Sequence, residues 1–574
     1  MFDLIRRHFL DHLLDRDGGV GVASDGAELI PQERADEVGG GQAEACFVVP
    51  ADARLRARVA FHGGPQVPLK SADVVLVDPQ PQRVHDADEF LGLGIAGPRG
   101  GPEGVVGFFK AALLHQVARV FDIGQRGRGE HERQRYDLGK GKGFHLGLLF
   151  ALGAGPAVAQ EVTAEDFIAF DADQARIGQL LFYDKILSGN KNISCGTCHH
   201  HDLGGTDGLS LGIGEGGVGL GPERVAVEGP DAIRKRIPRN APALWNLGHK
   251  DVRVMFHDGR LEPSEIYGNG FDSPAEEWLP VGLNSLLAAQ ALFPMTSQAE
   301  MAGNVGENEV VGAIMDRIDL GWPILAKRVR TIPEYGELFV QAFDHIERPE
   351  DVTIVEIGNA LAAFIGTEWA NYDSPYDDFL RDGTPLPEAA ERGRQLFFGR
   401  ANCAQCHNGP LFTDQDFHAV GLPAFGPGRT RRWDPVPRDV GRMGATDDLA
   451  DAYSFRTPSL RNVTLTAPYG HNGAYAELRD MVRHMADPMA MRVEWTREKT
   501  TLPDVPWLQE IDYVIQSDAR EMAMQAKFVD LRPVALSAAE VDDIVAFLES
   551  LTGKTALERP LGRPTTVPSG LAVD

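Results

Sequence analysis

From residue 160 onward, apolar residues recur mostly at helical spacing (i, i+3, i+4), and no run of alternating strands stands out. Val352 to Phe364 carries such a stripe, as does Ala538 to Leu551, where Ser537 is placed to cap the first turn. The pattern predicts a mainly α chain. Asp373 to Pro387, rich in Asp, Gly and Pro, reads as a linker between two halves, residues 160–375 and 376–574.

Those halves repeat one local design. Arg176-Ile-Gly-Gln-Leu-Leu-Phe182 leads to Cys195-Gly-Thr-Cys-His199, and Arg392-Gly-Arg-Gln-Leu-Phe-Phe398 leads to Cys403-Ala-Gln-Cys-His407. Each copy predicts a helix followed by a cysteine-bearing turn.

Upstream the pattern changes. Lys140 and Lys142 precede an apolar run, Phe144 to Leu152, and the small residues Ala157-Val158-Ala159 stand before Gln160. That is the order of an export signal over residues 140–159, and the run is too short to span a bilayer. The bland alternative is a short buried helix. Export machinery reads an N-terminal segment, so residues 1–139, with Gly/Arg-rich stretches and no chemical motif, are expected to lie outside the mature protein; the alternative is an extra domain. A mature chain beginning near Gln160 has a periplasmic destination and no membrane span.

Composition narrows the function classes. The chain has 574 residues, enough for more than one domain, with 43% apolar and 24% charged residues, an ordinary globular balance. A net charge of -27 argues against nucleic acid, whose phosphates need a cationic surplus. A basic partner docking by electrostatics stays open. Five cysteines are too few for a disulfide scaffold, and four fall in the two repeated motifs, leaving Cys46 alone.

Cys-x-x-Cys-His is the attachment pattern of c-type haem: two thiols bond to the porphyrin and the adjacent His supplies an axial nitrogen to iron. Cys195, Cys198 and His199 form one set, and Cys403, Cys406 and His407 the other. Zinc competes for the same residue types. A His directly after the second Cys is poor tetrahedral geometry, and each site lacks a clear fourth ligand, so two covalently bound haems are expected.

With these motifs, Arg239-Asn-Ala-Pro-Ala-Leu-Trp-Asn246, Phe256-His-Asp-Gly-Arg260, Gln290 followed by Glu300-Met301, and Pro458-Ser-Leu-Arg-Asn-Val-Thr-Leu-Thr-Ala-Pro-Tyr469, the chain resembles the bacterial dihaem cytochrome c peroxidase superfamily. That superfamily also contains the MauG maturation enzymes. The resemblance spans residues from about 170 to 555 and implies two cytochrome c-like haem domains. It implies a peroxide site at the first haem, with Gln290 orienting peroxide and Glu300 moving a proton between its oxygens so that water leaves. Met485 is implied as the ligand opposite His407, suiting an electron-relay haem; Met481, one turn earlier, competes, and core packing is the ordinary role of either. Calcium is implied at Asn240, Thr466 and Pro468, all oxygen donors, although Asn240 alone reads as a turn residue.

The chain departs from the family in three places. No His lies between His201 and His249, where many members carry a ligand that closes the first haem at rest, so an open first haem is expected. His257 stands where the family commonly has Trp between the haems; Trp245 is nearby in sequence. Residues 261–289 and 489–534 look inserted, the latter with Trp495, Trp507, Tyr513 and an amphipathic helix, either as partner-determining loops or as packing.

Three functions follow. The first is a peroxidase reducing hydrogen peroxide with electrons from a small periplasmic cytochrome c or cupredoxin. The second is a MauG-like enzyme oxidising residues of a partner protein. The third is a non-enzymatic dihaem electron carrier. Met485 favours the first, since the best-known maturation enzymes have Tyr there; His257 and the missing distal His favour the second; Gln290 with Glu300 speaks against the third.

Overall fold

The structure is a computed structural model that describes residues 161–229, 232–430 and 437–574, together with the backbone of five short upstream strands. The export-signal reading of residues 140–159 lies outside the described residues. The upstream strands, Glu28–Leu29, Ala45–Val48, Ala57–Phe61, Ala72–Val77 and Val84–Asp86, pair in sequence order into one antiparallel sheet. Their β-branched content in Ala72–Val77 suits that state.

Residues 161–574 are mainly helical, as the periodicity predicts, and strands there are confined to three two-residue ladders. Helix α1, Ala172–Tyr183, starts at Asp171, whose side chain accepts from the amides of Asp173 and Gln174. Helix α2, Leu286–Ala291, is capped by Ser285. Helix α3, Ile354–Glu368, fulfils the stripe at Val352 to Phe364 and opens with a Thr353/Glu356 capping box. The linker expectation needs correction. Residues Pro375–Asp382 form helix α4, with Ser374 as N-cap, Pro375 in the first turn and Gly383 closing it at φ 77°. The Pro and Gly that suggested a linker are the start and stop of a helix. Helix α5 covers Glu388–Phe398, helix α6 Leu478–Ala486, and helix α7 Ala538–Glu549, the last capped by Ser537 as expected.

Two cores result. In the first, α1 crosses α3, and Gly178 is required because a Cβ there would fall on the Ala360 carbonyl. In the second, α5 crosses α7, and a Cβ on Gly393 would fall on the Asp543 carbonyl. Matching these two glycines sets the true register of the repeat: Ala175 corresponds to Ala390, Phe182 to Phe397, and Tyr183 to Phe398, each of the first two pairs buried. Aligning Arg176 with Arg392 is therefore one residue out of step with the packing.

The last twenty residues return to the first lobe. Val567 and Ala556 are buried in its core, the amides of Leu561 and Gly562 donate to Glu368 at 2.8 and 3.0 Å, and the Asp574 carboxylate meets Ser194 and Thr197 of the first cysteine loop. The segment 261–289 also packs into the first core through Phe271, Leu279 and Leu283. Segment 489–534 ties the lobes together. Trp507 donates to the Ile233 carbonyl at 2.8 Å, and buried Arg236 pairs with Asp512 at 2.8 Å.

Candidate haem sites

The first loop is a single helical turn, Cys195–Cys198, set by a Ser194/Thr197 capping box. His199 follows directly, and its Nδ1 lies 3.0 Å from the Gly205 carbonyl. In the second loop Cys403–Gln405 is a tight turn, and His407 Nδ1 lies 3.0 Å from the Phe412 carbonyl. With Nδ1–H donated to a carbonyl, each ring presents a lone pair at Nε2, the tautomer a metal ligand needs. Burial lowers both imidazoles below the ordinary histidine value, keeping them neutral.

None of these four cysteines is in a disulfide, and burial pushes the Cys195, Cys198 and Cys403 thiols up to about 12. Beside the second loop lies a cavity of about 760 Å³ reached by Cys403, Cys406, His407 and Met485, within the size range of cofactor sites. A space of that size with two thiols and a neutral imidazole on its wall fits a haem. Zinc fits less well. Among the described residues the one cluster with metal-ligand geometry, Cys406 with Asp414 and His418, leaves out His407, and none forms at the first loop.

Met481 and Met485 both line this cavity from α6. Met481 also packs against the Leu422, Phe425 and Tyr475 cluster, whereas Met485 joins no apolar cluster among the described residues. Between them His484 is fully buried, its Nδ1 3.0 Å from the Tyr475 hydroxyl and its Nε2 2.9 Å from the Val420 carbonyl. Asn240, Thr466 and Pro468 sit on the wall of the same cavity, with the Asn240 amide nitrogen donating to the Leu209 carbonyl at 2.8 Å. Trp245 and His257 reach it too; burial together with Arg239 lowers His257 to about 4.

Gln290 projects from α2, and Glu300 from a π-helical turn, Gln298–Ala302, a geometry common at functional positions. The charge of Glu300 contributes to raising the Cys198 thiol, after burial and Asp207. Burial raises the Glu300 carboxyl above the ordinary value, against the pull of Arg260, Arg429, Ser297 and Lys235. Gln290 Oε1 is buried with no hydrogen-bond partner, an acceptor left for something that is not protein.

No described His hydrogen-bonds or stacks with these two residues. His200 lies near Asp202 and Arg563, His201 between Tyr183 and Glu368, His249 against Phe167, His257 on the Asn240 carbonyl, and His345 on Glu356. Arg260 is a further residue beside Glu300. Its guanidinium lies 3.4 Å above the Phe256 ring and holds Asp258 at 2.8 and 3.0 Å, and it acts on Glu300 by charge. Its motif was legible, but its proximity to Glu300 came only from the fold.

The class that fold and sites define is a mainly helical protein with two cytochrome c-like lobes, each presenting a Cys-x-x-Cys-His loop. Residues 172–384 match the model of the di-haem cytochrome c peroxidase family. The chain is 30% identical over 361 residues to the cytochrome c551 peroxidase of Nitrosomonas europaea, covering 62% of this chain and 83% of that protein. It is 26% identical over 387 residues to the methylamine utilization protein MauG of Methylorubrum extorquens, covering 67% and 79%. A cytochrome-c peroxidase from Pseudomonas sp. strain SCT is 25% identical over 410 residues, covering 68% and 84%. This chain belongs to the di-haem cytochrome c peroxidase family.

Proposed function

We propose that the protein is a periplasmic dihaem peroxidase that reduces hydrogen peroxide to water with electrons from a small cytochrome c or cupredoxin. Cys195 and Cys198 would hold the first haem and His199 would ligate its iron; Cys403 and Cys406 would hold the second, with His407 and Met485 offering ligand atoms to its iron. Bound at these positions, the haems would supply redox-active iron, the first for peroxide and the second for single-electron exchange. The observations that carry this reading are the unpartnered buried oxygen of Gln290 and the raised carboxyl of Glu300.

The protein's own contribution is positioning and proton movement. Gln290 Oε1 accepts from a peroxide O–H and orients it. Glu300, as carboxylate, takes a proton from one peroxide oxygen and returns it to the other, making water the leaving group. Arg260 and Arg429 favour the carboxylate, opposing its burial. Asn240, Thr466 and Pro468 would hold a calcium ion between the lobes through oxygen donors.

Steady-state peroxide turnover with reduced cytochrome c tests the reading: sustained donor oxidation is expected. His257, in the position where the family commonly has Trp, favours a MauG-like alternative acting on a partner protein. Oxidising equivalents that persist after peroxide without consuming donor would replace the first reading by the second. The absence among the described residues of a helix long and apolar enough to cross a membrane is compatible with a periplasmic site of action.

A further inference from the structure

Behind the first cysteine loop lies a chain of buried groups that peroxide chemistry at Gln290 and Glu300 does not use. Tyr183, at the end of α1, is wholly buried, and its ring occupies the position a Cβ of Gly196 would take, directly against the Cys195–Cys198 turn. Its hydroxyl is hydrogen-bonded to His201 Nδ1, and His201 Nε2 lies 2.7 Å from Glu368 Oε1. His201 and Glu368 are both buried, and the Leu561 and Gly562 amides fix the Glu368 carboxylate. With Nε2–H donated to the carboxylate, Nδ1 carries the lone pair that accepts from the phenol.

We propose that Tyr183 is a redox-active residue, a one-electron donor to the first haem once peroxide has oxidised it. This rests on the peroxidase reading. The balance is complete within named groups. One electron leaves the phenol for the peroxide-oxidised haem, and the phenolic O–H bond breaks as its proton passes to His201 Nδ1. The products are a neutral tyrosyl radical and an imidazolium paired with Glu368. A second oxidising equivalent is thereby kept in the protein when donor is scarce.

The two nearby indoles are poorer donors for physical reasons. Trp245 and Trp369 both have buried N–H groups with no protein partner, so no side chain or carbonyl is hydrogen-bonded to either to take its proton. The Arg559 guanidinium lies 4.5 Å from the Trp245 ring and 5.8 Å from the Trp369 ring, and a fixed positive charge there opposes a cation radical on either ring. In the second lobe the residue in the Tyr183 position is Phe398, which has no hydroxyl, so the device belongs to the first lobe alone.

The test is freeze-quench electron paramagnetic resonance on the oxidised holoprotein mixed with peroxide in the absence of donor. A tyrosyl signal is expected, narrowing when the unsubstituted chain is grown with ring-deuterated tyrosine. It should be lost in Tyr183→Phe and retained in Tyr335→Phe, whose buried hydroxyl instead donates to Asp184 at 2.8 Å. Haem stoichiometry and melting temperature establish that each variant is folded, and the deuterium experiment needs no variant. A radical that persists in Tyr183→Phe, or that ignores tyrosine deuteration, overturns the inference. So does a haem spectrum that peroxide changes with no radical formed, leaving the peroxidase reading standing; a haem spectrum that peroxide leaves unchanged overturns both.

Discussion

Replacing Glu300 by Gln isolates its proton chemistry from its shape. The side chain keeps its volume, and its hydrogen-bond partner is Ser297, a hydroxyl that serves an amide as well as a carboxylate. Haem attachment is untouched, because Glu300 reaches the first loop by charge and not by a bond. What remains is proton transfer, which a positioned side chain ordinarily accelerates by ~10²–10⁴-fold. At 1.36 kcal/mol per decade, Glu300→Gln is expected to raise the barrier by about 3–5 kcal/mol.

The pH profile adds a sign. Burial raises the Glu300 carboxyl above 4.5, and the carboxylate is the form that takes the first proton. Turnover therefore falls as pH drops through that raised value, and the acid limb lies above the ordinary glutamate range. Arg260→Gln removes a charge that favours the carboxylate, so the limb moves to still higher pH. Stopped-flow mixing with peroxide, followed across pH at constant ionic strength, reads both effects. A loss under about tenfold in Glu300→Gln, or an acid limb that Arg260→Gln leaves in place, would refute a proton-transfer role.

Met485→Ala is expected to abolish the low-spin signal of the second haem and lower its potential, whereas Met481→Ala should leave both, as low-temperature electron paramagnetic resonance and spectroelectrochemistry can show. Asp377→Ala leaves buried Arg461 without the carboxylate it holds at 2.9 and 3.0 Å, so denaturant melts should register a loss of about 3–5 kcal/mol. Burial would raise Asp377, but the Arg461 hydrogen bonds and charge outweigh it and hold it below 3.8. Its stabilisation is thus present above the ordinary Asp value and lost as pH falls through the lower folded one; acid melts of wild type and Asp377→Ala should converge there. Gly393→Ala forces α5 away from the Asp543 carbonyl and should destabilise by at least ~1–3 kcal/mol, read as a lower melting temperature. Exhaustive chelation should reduce peroxide turnover and added calcium restore it, with Asn240→Ala removing the response.

Local chemistry decided what was legible in the sequence. The helices α1, α3, α5 and α7 announced themselves by apolar spacing, α7 also by its Ser537 cap, and the cysteine loops by spacing, because these signals are written within a few residues. Helix α4 was missed since its Ser374, Pro375 and Gly383 read equally as loop residues until the Arg461 contact with Asp377 selects the helix. The repeat was found but misregistered: the Arg pair that suggested the alignment is solvent-facing, and Gly178 and Gly393, which the helix crossings require, differ from it by one position. Arg260, Tyr183 and Glu368 escaped as site residues for a different reason. Each acts on a group far away in sequence, Glu368 on His201 across 167 positions, and no local pattern encodes such a meeting.

The two lobes share a scaffold yet are finished differently, and the differences all point one way. In the second, α6 brings methionines to the cavity wall, and the aromatic at the end of α5 is Phe398, with no proton to give. In the first, no described histidine hydrogen-bonds Gln290 or Glu300, and the equivalent aromatic is Tyr183, with a proton acceptor behind it. A centre that trades single electrons needs neither an open face nor a proton route. One that accepts two oxidising equivalents from peroxide needs both, since the second must be held until a donor arrives. The tail that fixes Glu368 and meets Thr197 then has a physical purpose: it holds the acceptor and the cysteine loop in one rigid frame, so that the Tyr183 hydrogen bond survives the charge change at His201.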